Sequence, residues 1–368
     1  MRRPDALATP RQVARAGLCI GCGACASRLP PTEGWMGLDG YGEFKPQGDP
    51  RWLKEATPAF ARTCPFSPAA ADEDRIAAEH LPDAPQQDGM IGRFEQAWIG
   101  HAQAGGFRER GSSGGLVSWV AAQLLESGAV DGVAHVVPDA AGGQLLRYRI
   151  SRSSAALNAG AKSRYYPVEL SEVLREIRAL PGRYAVVGVP CFIKAVQLMR
   201  REEPVLAERI VATLGLVCGH MKSRQLTESY ARQMDVRLAE VAAVDFRRKA
   251  PERPARWYVM HFGLAGGRSV ERPWDQLAEG DWGAGFHQNP ACSFCDDVLA
   301  ETADIAFGDA WIAPHDQDCG GTNVVVARSP AMTQLLREGA ARGELALSPV
   351  DAEVVRRTQA AGLRQRRE

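Results

Sequence analysis

Cys19-Ile20-Gly21-Cys22-Gly23-Ala24-Cys25 is the stretch around which the chain is organised. Three cysteines at two-residue intervals, separated mainly by glycine and other small residues, let a backbone wrap tightly around a compact inorganic cube. Thiolates then converge on iron while nearby amide N–H groups point toward the sulfides. The bacterial ferredoxin run places a fourth cysteine soon after, followed by proline. Here the next cysteine is Cys64, in Thr63-Cys64-Pro65, farther along than in that compact run. The pattern points to one 4Fe-4S cluster on Cys19, Cys22, Cys25 and Cys64. A structural zinc site or disulfides are the alternatives. Zinc usually takes a CxxC with a second CxxC or with histidines, and a third cysteine at this spacing fits that poorly.

The 368 residues are enough for a sizeable core and two or three regions. With 44 basic and 44 acidic side chains the formal charge is zero, so no bulk field points to nucleic acid. Nine cysteines at this length are not a disulfide scaffold, and their CxxCxxC and CxxC spacing favours a reducing compartment. Arg2-Arg3 is followed by no apolar segment of the kind an export signal needs. No apolar run approaches the roughly 18 residues of a membrane span. The expectation is a soluble, cytoplasmic protein.

Before the cysteine triplet, 1–18 reads as a polar lead with a helical turn or two. The stretch 35–44 alternates around central glycines and predicts a small β-hairpin, and 51–62 predicts a helix delivering Cys64. Residues 1–70 therefore form an expected N-terminal ferredoxin-like module, and 71–93 a linker with one short helix. A first strand is expected at 94–101. Gly111-Ser112-Ser113-Gly114-Gly115 then opens an apolar-periodic helix over 116–127. Such a turn offers unpaired N–H groups and the positive end of a helix dipole to an anion, such as the pyrophosphate of a flavin dinucleotide. The plainer reading is a helix capped by Ser112 or Ser113.

Strands are expected at 130–137, 145–150 and 184–189 and a helix at 170–180, a βα alternation typical of α/β domains. The loop at 159–167 is basic and aromatic; Lys162 or Arg164 would hold a phosphate, or the loop is simply solvated. Cys191 follows the 184–189 strand, where α/β folds place their chemistry. Cys218 follows a strand over 210–217, and Cys292-Ser293-Phe294-Cys295 adds a CxxC. Together these close a second four-cysteine set, read as another 4Fe-4S cluster. The alternatives are zinc, a nucleophilic Cys191, a buried apolar Cys218 and a redox-active CxxC. His220 reads as a hydrogen-bond partner near this set, and Cys319 is left over. A strand over 303–311 bears Asp309, and Thr322-Asn323 opens another. All three residues can bind a cofactor or sit in a solvated turn. The tail, 331–368, reads as helical, its arginines a solvated face.

In this order and spacing, the motifs resemble the coenzyme F420 hydrogenase/dehydrogenase beta-subunit family over about residues 15–330. The likeness rests on the CxxCxxC, Gly111–Gly115, Ala161-Lys162-Ser163, Gly188-Val189-Pro190-Cys191, Val217-Cys218-Gly219-His220, and Cys292-x-x-Cys295 with the 303–309 strand. Members are flavoproteins carrying FAD and 4Fe-4S clusters. They include deazaflavin-reducing subunits of hydrogenases and formate dehydrogenases, and ferredoxin-dependent reductases of chlorophyll intermediates. The resemblance implies that Gly114, Gly115 and Lys162 match FAD-binding positions and the eight cysteines match cluster ligands. Ser113, Ser163, Asp309, Thr322 and Asn323 complete the expected cofactor site. Lys162-Ser163-Arg164-Tyr165-Tyr166 departs from the family's more usual lysine–tyrosine arrangement.

The expected fold class is α/β (α+β overall), with the cluster module followed by an α/β flavin-binding domain over 94–330. The expected function is an iron–sulfur flavoprotein oxidoreductase with FAD and two 4Fe-4S clusters. It would link a ferredoxin-like electron donor, or larger oxidoreductase subunits, to a small organic acceptor. Its rivals are an electron-transfer subunit without its own substrate, a zinc-binding module without redox chemistry, and a single-cluster flavin enzyme using Cys191 as a thiol catalyst.

Overall fold

The computed structural model describes residues 7–139 and 144–367, so Arg2-Arg3 lies outside the described residues. Helix α1 (Pro10–Arg15) starts at a reciprocal cap: Thr9 Oγ1 accepts from the Gln12 N–H at 3.1 Å, and Gln12 accepts from the Thr9 N–H at 2.9 Å. Strands β1 (Gly34–Leu38) and β2 (Phe44–Gly48) make the expected hairpin, with Leu38 opposite Phe44. The single helix expected over 51–62 is instead two, α2 (Pro50–Lys54) and α3 (Pro58–Thr63). Pro58 disfavours a helical residue before it, and Thr57 restarts the helix by accepting from the Phe60 N–H at 3.1 Å. Then come α4 (Glu73–His80) and a hairpin of β3 (Gln86–Asp88) and β4 (Gly92–Phe94).

The central part runs β5 (Gln96–Ala102), α5 (Phe107–Arg110), α6 (Leu116–Glu126), β6 (Gly132–Pro138), β7 (Leu146–Ser151), α7 (Ser154–Ala159) and α8 (Ser171–Ala179). It continues with β8 (Tyr184–Gly188), α9 (Pro190–Glu202), α10 (Pro204–Arg209), β9 (Ile210–Leu216) and α11 (Arg224–Gln233). A separate antiparallel sheet follows, β10 (Val241–Arg248), β11 (Val259–Leu264) and β12 (Ser269–Pro273), in a region where the sequence reading offers no element. The chain closes with β13 (Ile305–Asp309), β14 (Asn323–Ala327), α12 (Pro330–Ala341), β15 (Leu345–Val350), α13 (Ala352–Thr358) and α14 (Ala360–Arg367).

Eight strands form one mixed sheet in the order β15-β5-β14-β13-β9-β8-β6-β7. β13, β9, β8 and β6 are parallel, and the strands on either side are antiparallel. Parallel strands are covered on both faces, and β8 is accordingly buried at every residue. On one face Leu116, Trp119 and Val120 of α6 pack with Met332 and Leu336 of α12. On the other, α8 and α9 contribute Leu174, Phe192 and Val196.

One expectation changes here. The tail is not helical throughout: β15 pairs antiparallel with β5, Leu345 opposite Ala102 and Val350 opposite Ala97. The first seventy residues also pack against the central part. Ile20, Cys22 and Ala24 lie in the same apolar cluster as Leu174, Cys191 and Phe192. The Arg175 guanidinium ties α8 to this segment, donating to the carbonyls of Ala26 at 2.8 Å, Leu29 at 3.0 Å and Gly34 at 3.1 Å.

Candidate functional site

The first four cysteines meet around one cavity. Cys19, Cys22, Cys25 and Cys64 all line it, and apart from the cysteines its wall is built of uncharged residues, Ile20, Met36, Phe60 and Phe66 among them. Gly21 and Gly23 turn the loop with φ of +73° and +76°. A Cβ on Gly21 would stand 2.8 Å from the Phe44 carbonyl oxygen, and one on Gly23 2.2 Å from Glu169 Oε2, so side chains are excluded by both conformation and space. Cys64 caps the C-terminus of α3, its N–H donating to the Phe60 carbonyl at 2.9 Å. The Cys19 carbonyl accepts from Lys45 Nζ at 2.8 Å and Asn289 Nδ2 at 3.3 Å. Burial pushes all four thiols up, Cys64 to about 12, and the other cysteines add to the rise at Cys25.

Cys191, Cys218, Cys292 and Cys295 line a second cavity with Met221, Asp297 and Arg366. Cys191 lies in the first turn of α9 behind Pro190. Cys218 follows β9, its N–H donating to the Val298 carbonyl at 3.0 Å; Cys292 lies within a 3-10 turn (Pro290–Phe294) capped by Asn289, and Cys295 follows its end. The Met221 N–H points at Cys292 Sγ at 3.2 Å. Burial raises all four thiols here too, Cys295 to about 12 with help from Asp297. Ile20 and Phe66 line both cavities, so the two share a wall.

None of the nine cysteines is in a disulfide, and Cys319 is exposed. Among the described residues no three His, Cys, Asp or Glu side chains are grouped to hold a single metal ion. His220 stacks on Trp282 with centroids 4.7 Å apart, and burial beside Lys222 lowers its pKa to about 3. Neither ring nitrogen has a hydrogen-bond partner among the described residues, so the expected hydrogen bond from His220 is not made there.

The eight residues expected around a cofactor come into one neighbourhood. Ser163 N–H donates to Ser112 Oγ at 2.9 Å, joining the lysine loop to the turn before α6. Ser113 Oγ donates to the Thr322 carbonyl at 3.2 Å. Asn323 accepts from the Leu116 N–H at 3.3 Å and donates to the Gly308 carbonyl at 2.9 Å. The serine-cap reading does not hold: the N-cap of α6 is Gly115, left-handed at φ +80°, with no side-chain cap. The glycines answer to protein neighbours, since a Cβ on Gly114 would lie 2.7 Å from Asn323 Oδ1 and one on Gly115 2.5 Å from the Phe107 carbonyl.

Besides Lys162, three cations missing from the sequence reading stand in this neighbourhood: Arg108, Arg247 and Lys249. Arg108 pairs with Asp318, and Arg247 grips Asp309 with two hydrogen bonds of 2.8 and 3.0 Å. Lys162 pairs with Asp245 at 3.1 Å. Lys249 differs: its ammonium donates to the carbonyls of Arg108 at 2.5 Å and Ser113 at 2.8 Å, and among the described residues no carboxylate lies within ion-pair reach. Burial, with Lys162, Arg108 and Arg247 close by, lowers its pKa to about 8. Lys162 has φ of +123°, a conformation that L side chains rarely adopt and that costs of order 1–3 kcal/mol. Arg247-Arg248-Lys249, a basic run at a strand end, was the available signal in the sequence.

Two family models match the chain: the N-terminal model of the coenzyme F420 hydrogenase/dehydrogenase beta subunit over residues 97–175, and the C-terminal model of that same beta subunit over 182–353. No curated protein matches it. Among solved structures, a chain of the F420-reducing [NiFe] hydrogenase complex from Methanosarcina barkeri has a similar fold. The TM-score is 0.58 at 15% identity, covering 76% of this chain and 92% of that one. Among the described residues no helix is long and apolar enough to cross a membrane. The chain belongs to the coenzyme F420 hydrogenase/dehydrogenase beta-subunit family.

Proposed function

We propose that the protein is an iron–sulfur flavoprotein oxidoreductase with two 4Fe-4S sites, one on Cys19, Cys22, Cys25 and Cys64 and one on Cys191, Cys218, Cys292 and Cys295. The observation that carries the reading is the sorting of eight cysteines, drawn from distant segments, into two cavities of four with a common wall of Ile20 and Phe66. Buried thiols with raised pKa values stay protonated, and a bound iron centre is what compensates the loss of four such protons. A zinc ion needs its sulfurs about 2.3 Å from one point, whereas a cluster spreads four thiolates over four irons.

FAD is proposed at the turn before α6, with Lys249 and Lys162 meeting its phosphates or reduced ring and Ser113, Ser163, Thr322 and Asn323 framing the site. Asp309 acts indirectly, because both its oxygens hold Arg247. When bound, FAD supplies the exchange between one- and two-electron chemistry, and the clusters supply single-electron transfer. The chain's own residues set the positions and the field. Electrons are proposed to come from a ferredoxin-like donor or subunits of a larger oxidoreductase, and to leave on a small organic acceptor. Phe294, 70% exposed between Cys292 and Cys295, favours a partner docking at the second site.

The test is anaerobic purification with iron, sulfide and flavin quantified. The expected result is about eight irons, about eight sulfides and about one FAD per chain. A colourless protein containing zinc overturns the reading, and four irons per chain overturns its second site.

A further inference from the structure

We propose that Arg366 is a positioning residue that raises the reduction potential of the group held by Cys191, Cys218, Cys292 and Cys295. It thereby makes that site the electron acceptor of the two. The inference rests on the two-cluster reading above.

The two cavities differ in charge. Apart from its cysteines, the first is walled by uncharged side chains; Lys45 stands behind the Cys19 carbonyl, paired with Glu43 at 2.7 Å. The second wall contains one cation, Arg366, and one carboxylate, Asp297. Arg366 Nη1 donates to the Cys295 carbonyl at 2.7 Å, which fixes the guanidinium at the cysteine turn. Its neighbour anchors the helix end: Arg367 donates to the Asp296 carbonyl at 2.8 Å and the Gly89 carbonyl at 2.7 Å, and pairs with Glu301. Leu363, one turn earlier, is buried. Helix α14 thus carries a positive charge into the cavity from a segment beyond both family matches, the later of which ends at residue 353.

The chemistry is an electron transfer in which no bond forms or breaks. One electron leaves the first cluster, which is oxidised, and enters the second, which is reduced; no proton moves. The proposed one-electron donor then restores the first. Reduction adds one negative charge, and a fixed cation in a poorly solvated wall favours the more negative state. Asp297 opposes this. However, the Glu301 N–H donates to both its oxygens, at 3.2 and 3.1 Å, and part of its field is absorbed there.

The experiment is a redox titration of the full-length, anaerobically purified protein, read by electron paramagnetic resonance. Cys64→Ser assigns the first cluster's signal. Arg366→Gln is expected to lower the second cluster's reduced-to-oxidised ratio about tenfold at fixed potential, a shift of about 59 mV for one electron. The first cluster should not move, and Arg366→Lys and the exposed control Arg364→Gln should stay near wild type. An Arg366→Gln protein with full iron and an unmoved second potential overturns the inference. If Arg366→Gln sheds the cluster, Arg366→Lys decides: a wild-type potential supports the charge effect and a lowered one overturns it. Four irons per wild-type chain would instead bring down the two-cluster reading itself, before any potential is measured.

Discussion

Asp309→Asn tests whether the basic neighbourhood is held together by a buried ion pair. The Arg247 side chain is only 5% exposed, and its guanidinium meets both Asp309 oxygens at 2.8 and 3.0 Å. It also lies over Tyr258, 4.5 Å from the ring centroid, while its Nε has no hydrogen-bond partner among the described residues. With the carboxylate neutralised, that cation stays buried with no other ion-pair partner among the described residues. Breaking such a pair costs about 3–5 kcal/mol; the asparagine retains one acceptor, which places the expectation near the lower end. With a urea slope of about 3 kcal/mol/M, the midpoint should fall by about 1 M at unchanged slope. Arg247→Met combined with Asp309→Asn should recover most of the loss, because the uncompensated charge is then gone. A single variant within about 1 kcal/mol of wild type, the range of exposed pairs, would refute the reasoning. So would a double variant no more stable than the single.

Further outcomes follow from other residues. Lys249 has a folded pKa of about 8 against an ordinary value of 10.5, so between those values the unfolded chain holds more protons and stability should rise with pH. Lys249→Met should remove that rise, and identical pH profiles for the two proteins would contradict the burial of this ammonium. Gly115→Ala should lower the melting temperature more than Gly128→Ala. Both residues have positive φ, but a Cβ at 115 meets the Phe107 backbone at 2.5 Å and one at 128 meets open space; strain alone is about 1–3 kcal/mol. Cys64→Ser should lower iron content by up to about half, whereas Cys319→Ser, at an exposed position, should leave it unchanged; equal iron in both would remove Cys64 from the first set.

What was legible in the sequence follows the range of the forces involved. The parallel strands announced themselves because burial on both faces demands unbroken apolar runs, as at Tyr184–Gly188. Cys19, Cys22 and Cys25 were legible from spacing alone, and Cys64 from its proline. The helical character of α14 was legible too, but the place of its arginines was not, because they look the same whether they face water or a carbonyl; only tertiary contact distinguishes Arg366 on Cys295 from Arg364 in solvent. Strand β15 was hidden for a similar reason. Ala346, Ser348 and Pro349 carry little β signal, and pairing with β5 overrides it. What the sequence did not reveal about Asp309 is its partner: Arg247, on a sheet absent from the sequence reading, meets both carboxylate oxygens.

Strand β5 is the first strand of the large sheet to be synthesised, yet both its neighbours are among the last, Gly100 lying opposite Asn323 on one side and Leu347 on the other. Until most of the chain has left the ribosome, the apolar Ala97-Trp98-Ile99 run has no ladder to join. Such late closure slows folding and leaves a sticky edge open to other chains. Yield in a heterologous host should therefore depend on chaperone supply and growth temperature even where iron is plentiful.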